Sequence, residues 1–488
     1  MRNFIGFTLL AAAAFAAPSS AAVTLFAIGD LDGSRAGVGV DLSGLTGPLE
    51  NGLAGNILGG IGSGLAYAGN NVFIGVPDRG PNATAYNGAV DDTSSYISRL
   101  QTVSMVLAPS VSGLPFTLTP TLTRTTLLSS PTALVYGSGA GLGTKIDGTP
   151  LGSGAPSINT ANAFYFTGRS DNFGAGTSGN PANARFDPEA IRVSNDGRSV
   201  FISDEYGPYV RQFDRFSGQL IKTFTLPGHL DVSHLSPNGA TEISGNSAGR
   251  TANKGMEGLA ITPDGKTLVG VMQAALLQDA AVSATKKIVR IVTIDIATGT
   301  THEYAYKLTT GSGISDIVAI NDHEFLLDER DGSGLGNGDN AVVKQLFKIN
   351  LAGATDVTNL SGAALVAAVV PKTTPPFLDL VAALNAAGIP SSTIPSKIEG
   401  IAFGEDVLYG GVNYHTLYVA NDNDFLPDYA GSNKFYVFGF QDSDLPGYVA
   451  QTIAAVPEPA SWALLIAGFG LVGGAMRRRA TTTRSVIA

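Results

Sequence analysis

The sequence predicts an all-β fold, a β-propeller of six or seven four-stranded blades with long loop insertions. The first observation is a hairpin. Residues 186–208 read FDPEAIRVSNDGRSVFISDEYGP, two short apolar runs joined by an Asp-Gly turn, which is the local signature of an antiparallel hairpin. The second observation is that this hairpin recurs. Residues 255–275, 313–332 and 397–425 repeat the pattern, and 62–80 is an early copy. The copies open at Ser63, Glu189, Glu257, Asp316 and Glu399. A period of about 65 residues, with one degenerate copy in the first gap, suits a propeller blade with generous loops. The third observation is composition. Among 488 residues, 61 are glycine and only 14% are charged, whereas ordinary soluble domains carry about 25% charged residues. Many strands and tight turns fit that balance.

The remaining strands follow each hairpin. Residues 209–215 lead through Ser217-Gly218 into 219–226, and 288–296 lead through Thr298-Gly299 into 300–308. Apolar residues at Ile288, Val292, Ile294 and Ile296 carry the period of two expected of a strand. Residues 344–350 and 434–440 read as further third strands. The best helix candidate is short, 376–388. Residues 137–185 and 227–254 are rich in Gly, Ser and Asn and read as insertions, which in a compact fold are usually functional covers or disordered.

Both termini read as targeting segments, leaving 23–450 as the folded unit. Residues 1–22 have the form of a signal peptide: Arg2, an apolar stretch from Phe4 to Ala17, and small residues Ser20-Ala21-Ala22 at the cleavage site. Residues 456–480 carry Pro457-Glu458-Pro459, an apolar segment from Ala460 to Met476 and then Arg477-Arg478-Arg479. Seventeen apolar residues reach the short limit for a membrane-spanning helix, and the arginines should hold that end in the cytoplasm. The formal charge of −10 argues against a nucleic-acid partner and mildly favours cations. Cysteine is absent, which excludes thiolate catalysis, disulfides and Cys-zinc sites.

The chemistry is expected where the blades converge. If Glu189, Glu257, Asp316 and Glu399 open the innermost strands, their carboxylates meet at one mouth of the central channel. Asp78, Asp204, Glu205, Asp328, Glu329 and Asp422 should ring the same face. Such a cluster is costly without cations, and oxygen ligands without His or Cys select calcium or magnesium. The alternative is that these acids cap turns by accepting backbone N–H bonds. Arg79, Arg185, Lys254, Arg330 and Lys397 lie beside the repeat acids. They either hold an anionic substrate or neutralise their neighbours. Residues 331–340, DGSGLGNGDN, hint at a calcium loop but lack EF-hand spacing and a closing Glu. Gly245-Asn246-Ser247-Ala248-Gly249 matches a nucleophile elbow by chance in a Gly/Ser-rich stretch.

Two resemblances follow from these residues. The tail, with its Pro-Glu-Pro motif, apolar segment and basic end, resembles the PEP-CTERM sorting signal. It implies a Gram-negative source, export to the cell surface, processing by an exosortase, and contact with the membrane only through this segment. Asp187-Pro188-Glu189-Ala190-Ile191, Ser203-Asp204-Glu205-Tyr206-Gly207-Pro208 and Asn253 to Ala260 resemble the phytase-like domain, also described as "esterase-like activity of phytase". Val76 to Pro81 and Lys397 to Ala402 fit its first and last blocks. This resemblance runs from about Gly62 to Phe440 and implies a secreted propeller. Its name implies phosphate-ester chemistry, although fold alone does not fix function.

Two functions are compatible with the residues. One is a calcium-dependent phosphoester or carboxylester hydrolase acting on a small anionic ester. Its candidate catalytic residues are Glu189, Glu257, Arg79 and Lys254. Its candidate metal ligands are Asp78, Glu189, Asp204, Glu205, Glu257, Asp316, Asp328, Glu399 and Asp422. Bound calcium would lower the pKa of a water while one carboxylate acts as general base. The other is a non-catalytic surface or matrix propeller with structural calcium that binds extracellular polysaccharide or protein.

Overall fold

Short apolar runs that are hidden on both faces form strands inside stacked sheets, and that is how the repeats fold. The computed structural model of the chain describes residues 23–31 and 39–456. The predicted signal peptide and the apolar and basic parts of the tail lie outside the described residues. Among the described residues no helix is long and apolar enough to cross a membrane.

Five antiparallel sheets form five blades of four strands each, the last with an extra short strand, Val407–Tyr409, paired at its lower end. Blade 1 comprises Gly64–Tyr67, Val72–Val76, Arg99–Pro109 and Phe116–Leu127. Blade 2 comprises Pro188–Val193, Ser199–Asp204, Tyr209–Asp214 and Leu220–Thr225. Blade 3 comprises Met256–Ile261, Thr267–Met272, Ile288–Asp295 and Thr301–Lys307. Blade 4 comprises Gly313–Ala319, Glu324–Arg330, Lys344–Asn350 and the short Leu378–Asp379. Blade 5 takes Ile398–Phe403, Val412–Asn421 and Asn433–Phe440 from the C-terminal part, and its outermost strand, Thr24–Leu31, from the N-terminal part. Pairing of Thr24 with Gly439 and of Leu31 with Asn433 joins the two ends of the fold. The first strands of the five blades touch in a closed cycle around the axis.

The all-β propeller expected from the sequence is therefore present, with five blades rather than six or seven. The first gap in the repeat holds no degenerate blade. Its length goes into the long outer strands of blade 1, a two-stranded ribbon of Ser129–Ser130 with Phe164–Tyr165, and irregular loops over the upper face.

The core is correspondingly divided into wedges. Leu65, Phe73 and Val103 pack against Ala402, Tyr418 and Val437 between blades 1 and 5. Ile74 and Val76 meet Ile191 and Ile202 between blades 1 and 2. Similar wedges fill the other three gaps. Each fully buried Leu, Ile, Val or Phe contributes about 1.5–3 kcal/mol, so the blades are held mainly by their neighbours. Inner strands such as Met256–Ile261 are buried throughout, whereas the outer strand Phe116–Leu127 alternates toward solvent. Glycine permits close approach at the axis: a Cβ on Gly64 would stand 2.5 Å from the Glu189 carbonyl oxygen, and one on Gly400 2.8 Å from the Leu65 backbone nitrogen.

Candidate functional site

Each blade opens at the upper mouth of the channel, and a bulge there decides which side chains reach it. In blades 2 to 5 the pairing of the first two strands shifts at this point, for example between Pro188 and Ile191 and between Ile314 and Ile317. A bulge adds one residue to a strand and re-aims those beyond it. Past it, Leu65, Ile191, Leu259, Ile317 and Ile401 face Gly75, Ile202, Gly270, Leu327 and Val419. Two residues earlier on the first strands lies one equivalent ring: Ser63, Glu189, Glu257, Ser315 and Glu399. Three residues later on the second strands lies another: Asp78, Glu205, Gln273, Arg330 and Asp422.

A small cavity of about 70 Å³ at this mouth is lined by the whole second ring, by Glu189, Glu257 and Glu399 of the first, and by Arg79, Asn253 and Lys397. Asp78, Arg79, Glu189, Glu205, Glu257, Glu399 and Asp422 are thus brought together as the repeats suggest. Four other candidates are not. Asp316 falls one residue beyond the ring, at the position of Ala190, Gly258 and Gly400, while Ser315 occupies the ring position in its blade. Its carboxylate points down the axis to Arg192, which donates to both oxygens at 2.9 and 2.8 Å. Asp204 caps its own loop, accepting from the backbone N–H groups of Asp187, Tyr206 and Gly207 at 2.9–3.0 Å. Asp328 is buried outside the cavity with both carboxylate oxygens unpartnered. Lys254 is exposed, in an adjoining cleft that shares Gln273 and Arg330 with the cavity. Glu329 is also turned away, bonded to Lys372 and Tyr306.

Six carboxylates and three cations line the cavity. Arg330 Nη2 donates to Glu399 at 2.5 Å, and Lys397 Nζ to Asp422 at 2.8 Å. Arg79 donates its backbone N–H at 2.8 Å and its Nη1 at 2.6 Å to Asp187. Gln273 Nε2 donates to Glu257 at 2.8 Å. Burial pushes the carboxyls of Glu205 and Glu399 up to about 7. It holds Asp78, Glu189 and Glu257 well above the usual range, and neighbouring acids add to the effect: Asp422 for Asp78, Glu257 for Glu189, and Glu205 for Glu257.

Oxygen atoms of Asp187, Glu189 and Glu205 lie within 4.8 Å of one another. One oxygen each of Glu205 and Glu257 is buried without a partner. An all-oxygen, carboxylate-rich donor set with unsatisfied lone pairs fits a hard divalent cation. Asp187 was not among the candidates read from the sequence. Its position two residues before Glu189, in Asp187-Pro188-Glu189, was the available signal. The loop at 331–340 is organised differently: Lys344 Nζ donates to Asp331 O and Oδ1 and to Ser333 O at 2.8–3.0 Å. A lysine occupies the place a cation would take there.

Residues 455–479 match the PEP-CTERM protein-sorting motif. An uncharacterized secreted protein of Arthroderma benhamiae is 31% identical over 294 residues, covering 52% of this chain and 53% of the relative. The chain thus spans about half the length of that curated relative. Among solved structures, hydrazine synthase of Kuenenia stuttgartiensis shares 14% identity over 48% of this chain and 53% of its own, with a TM-score of 0.25. The β-propeller domain of Cps50 (Swd1) from Myceliophteria thermophila shares 9% identity over 47% and 51%, with a TM-score of 0.21. Neither structural likeness bears on the site. Residues 56–425, most of the chain, match the family described as phytase-like, "esterase-like activity of phytase", and the chain belongs to that family.

Proposed function

We propose that the protein is an exported propeller whose upper channel mouth binds calcium and hydrolyses a small phosphoester or carboxylester. One observation carries this reading: six carboxylates converge with only three cations in one buried cavity, and two of them keep an unpartnered oxygen. A hard dication offsets such an excess. Asp187, Glu189 and Glu205 are the residues to hold it, with Asp78, Glu399 and Asp422 completing the acidic wall. Bound calcium supplies charge neutralisation for an ester oxygen and a more acidic water.

The chain's own groups supply the rest. Glu257, displaced upward from the usual carboxyl range, is suited to accept or return a proton at its free Oε2. Arg79 braces Asp187 and holds positive charge over the acids. Lys254, exposed in the adjoining cleft and without a side-chain partner among the described residues, is placed to receive an anionic group from the solvent side. A cavity of about 70 Å³ has room for an ion and one or two waters, each water claiming about 30 Å³. The ester group therefore reacts at the mouth, with the body of the substrate above it.

The second reading, a non-catalytic propeller that binds polysaccharide or protein, draws on a different observation. Arg79, Arg330 and Lys397 are all engaged by acids, and Gln273 stands at a ring position where an acid would strengthen the site. On either reading the tail directs the protein to an exosortase, with residues 460–476 anchoring it in the membrane beforehand.

Hydrolysis of a small phosphomonoester and a small carboxylester, with calcium and with chelator, separates the two. The hydrolase reading expects calcium-dependent turnover, falling about 10²–10⁴-fold in Glu257→Gln and comparably in Glu189→Gln. No turnover on either ester, with calcium still raising the melting temperature, favours the binding propeller.

A further inference from the structure

The lower mouth of the channel is floored by the chain itself. After Phe440 leaves blade 5 at its lower end, the chain turns under the propeller. Leu445 is buried in the wedge between blades 4 and 5, and the Tyr448 ring packs at a tilt against Phe403 at 4.6 Å and edge-on against His415 at 4.8 Å. Asn321 of blade 4 donates to the Gly447 carbonyl, and the Val449 N–H donates to the Ile320 carbonyl at 2.8 Å. Gln451 then reaches blade 2, its Nε2 donating to Val193 O at 2.8 Å and to Asn195 Oδ1 at 2.7 Å. The last tie is Ala454 N–H to Asn195 O, also 2.8 Å. A cavity of about 350 Å³ lies between this strap and the lower ends of all five inner strands, with Ala66, Arg192, Ile261, Val318 and Ala402 on its walls.

We infer that the strap orients the propeller at the membrane: its lower face is the surface turned to the bilayer, and the acidic mouth opens away from it. This rests on the reading that the tail enters the membrane, and not on hydrolysis. The apolar segment begins at Ala460, four residues past Val456. An extended chain spans at most about 3.3–3.6 Å per residue, so the leash is no longer than about 14 Å. The inner strands, six residues in blades 2, 3 and 5, separate the two mouths by roughly 20 Å at about 3.3 Å per residue. The leash is too short to turn the upper mouth to the bilayer while the strap stays bound. The orientation comes from the tether and not from attraction to lipid headgroups, since the lower turns carry Asp196, Asp264 and Asp406.

The absence of cysteine makes the test direct. Single cysteines are placed at the exposed lower positions Val111→Cys or Leu408→Cys, and at the exposed upper position Tyr429→Cys. Each is labelled with a fluorophore in the full chain, reconstituted into phosphatidylcholine vesicles containing a nitroxide-labelled lipid. The expected result is several-fold stronger quenching at 111 and 408 than at 429. Combining Tyr448→Ala with Gln451→Ala should release the strap and narrow that difference while the protein still floats with the vesicles. Flotation with equal quenching, or stronger quenching at 429, overturns the orientation alone, as does an unchanged difference in the strap variant. Failure to float overturns the anchoring reading together with it. None of these outcomes touches the ester assay.

Discussion

Asp316→Ala is expected to destabilise the protein by about 3–5 kcal/mol, the usual cost of removing one partner of a buried ion pair. Asp316 is fully buried on the axis, and with Arg192 it links the first strands of all five blades. Arg192 projects from blade 2 and donates to the carbonyls of Leu65 in blade 1 and Ile317 in blade 4, both at 2.8 Å. The Asp316 carboxylate, from blade 4, accepts the backbone N–H of Leu259 in blade 3 at 3.3 Å and of Ile401 in blade 5 at 3.0 Å. Alanine leaves the Arg192 charge without its counterion and takes the carboxylate acceptor from three strand N–H groups, those of Leu259, Ile401 and the adjoining Ile317. The loss should appear as a lower urea midpoint. Removing both charges, in Asp316→Ala with Arg192→Met, should cost less than the sum of the single changes, because no buried charge is then left unpaired. If Asp316→Ala unfolds at the wild-type midpoint, the axial pair does not hold the blades together.

Stability should fall as pH rises from about 4 to about 8, and Asp328→Asn should remove the part of that slope that Asp328 contributes beside the raised carboxyls of the cavity. Burial pushes the Asp328 carboxyl up to about 8, from an ordinary value of 3.8, against the opposing influence of Arg330 and Lys344. The folded state therefore keeps a proton that the unfolded chain has already released across this window. Where the folded state binds more protons than the unfolded one, stability declines with rising pH. The contribution is undiminished below about 4, is lost progressively as pH rises through 8, and is flat above. A rise of roughly four units corresponds to on the order of 5 kcal/mol between the two protonation states. Asparagine has the shape of the protonated acid and cannot ionise. Asp328→Asn should match wild type below about pH 4, draw ahead as pH rises and exceed it most above pH 8, as read from melting temperatures across that range. Parallel curves for the two proteins would mean that Asp328 does not titrate as its surroundings dictate.

Much of the site was legible in the chain because repeats carry equivalent positions to one place. Glu189, Glu257 and Glu399 each open the same short apolar pattern, so the sequence alone implies a common mouth. Glu205 and Asp422 closed their hairpins in the same way. The register at the mouth was not legible. Asp316 looks like an opening acid because it precedes Ile317 as Glu189 precedes Ala190, yet the bulged strand places it one step further on. Since neighbouring side chains on a strand face opposite ways, that single step turns a mouth ligand into an axial counterion. The same one-residue ambiguity hides the difference between Asp204, which caps a loop, and Glu205, which lines the cavity.

Local pattern was sufficient for the all-β class, the repeating hairpins, the missing thiol chemistry and the sorting motif at the tail, because turn chemistry, strand period and composition are properties of short stretches. Blade number, the pairing of each carboxylate and the path of the strap beneath the channel were decided only in three dimensions. Closing the ring fixes how many sheets fit, and bulges set which face each acid takes. Ion pairs such as Arg192 with Asp316 join residues 124 positions apart. No local stretch of sequence specifies such a contact, since it exists only once the blades have packed.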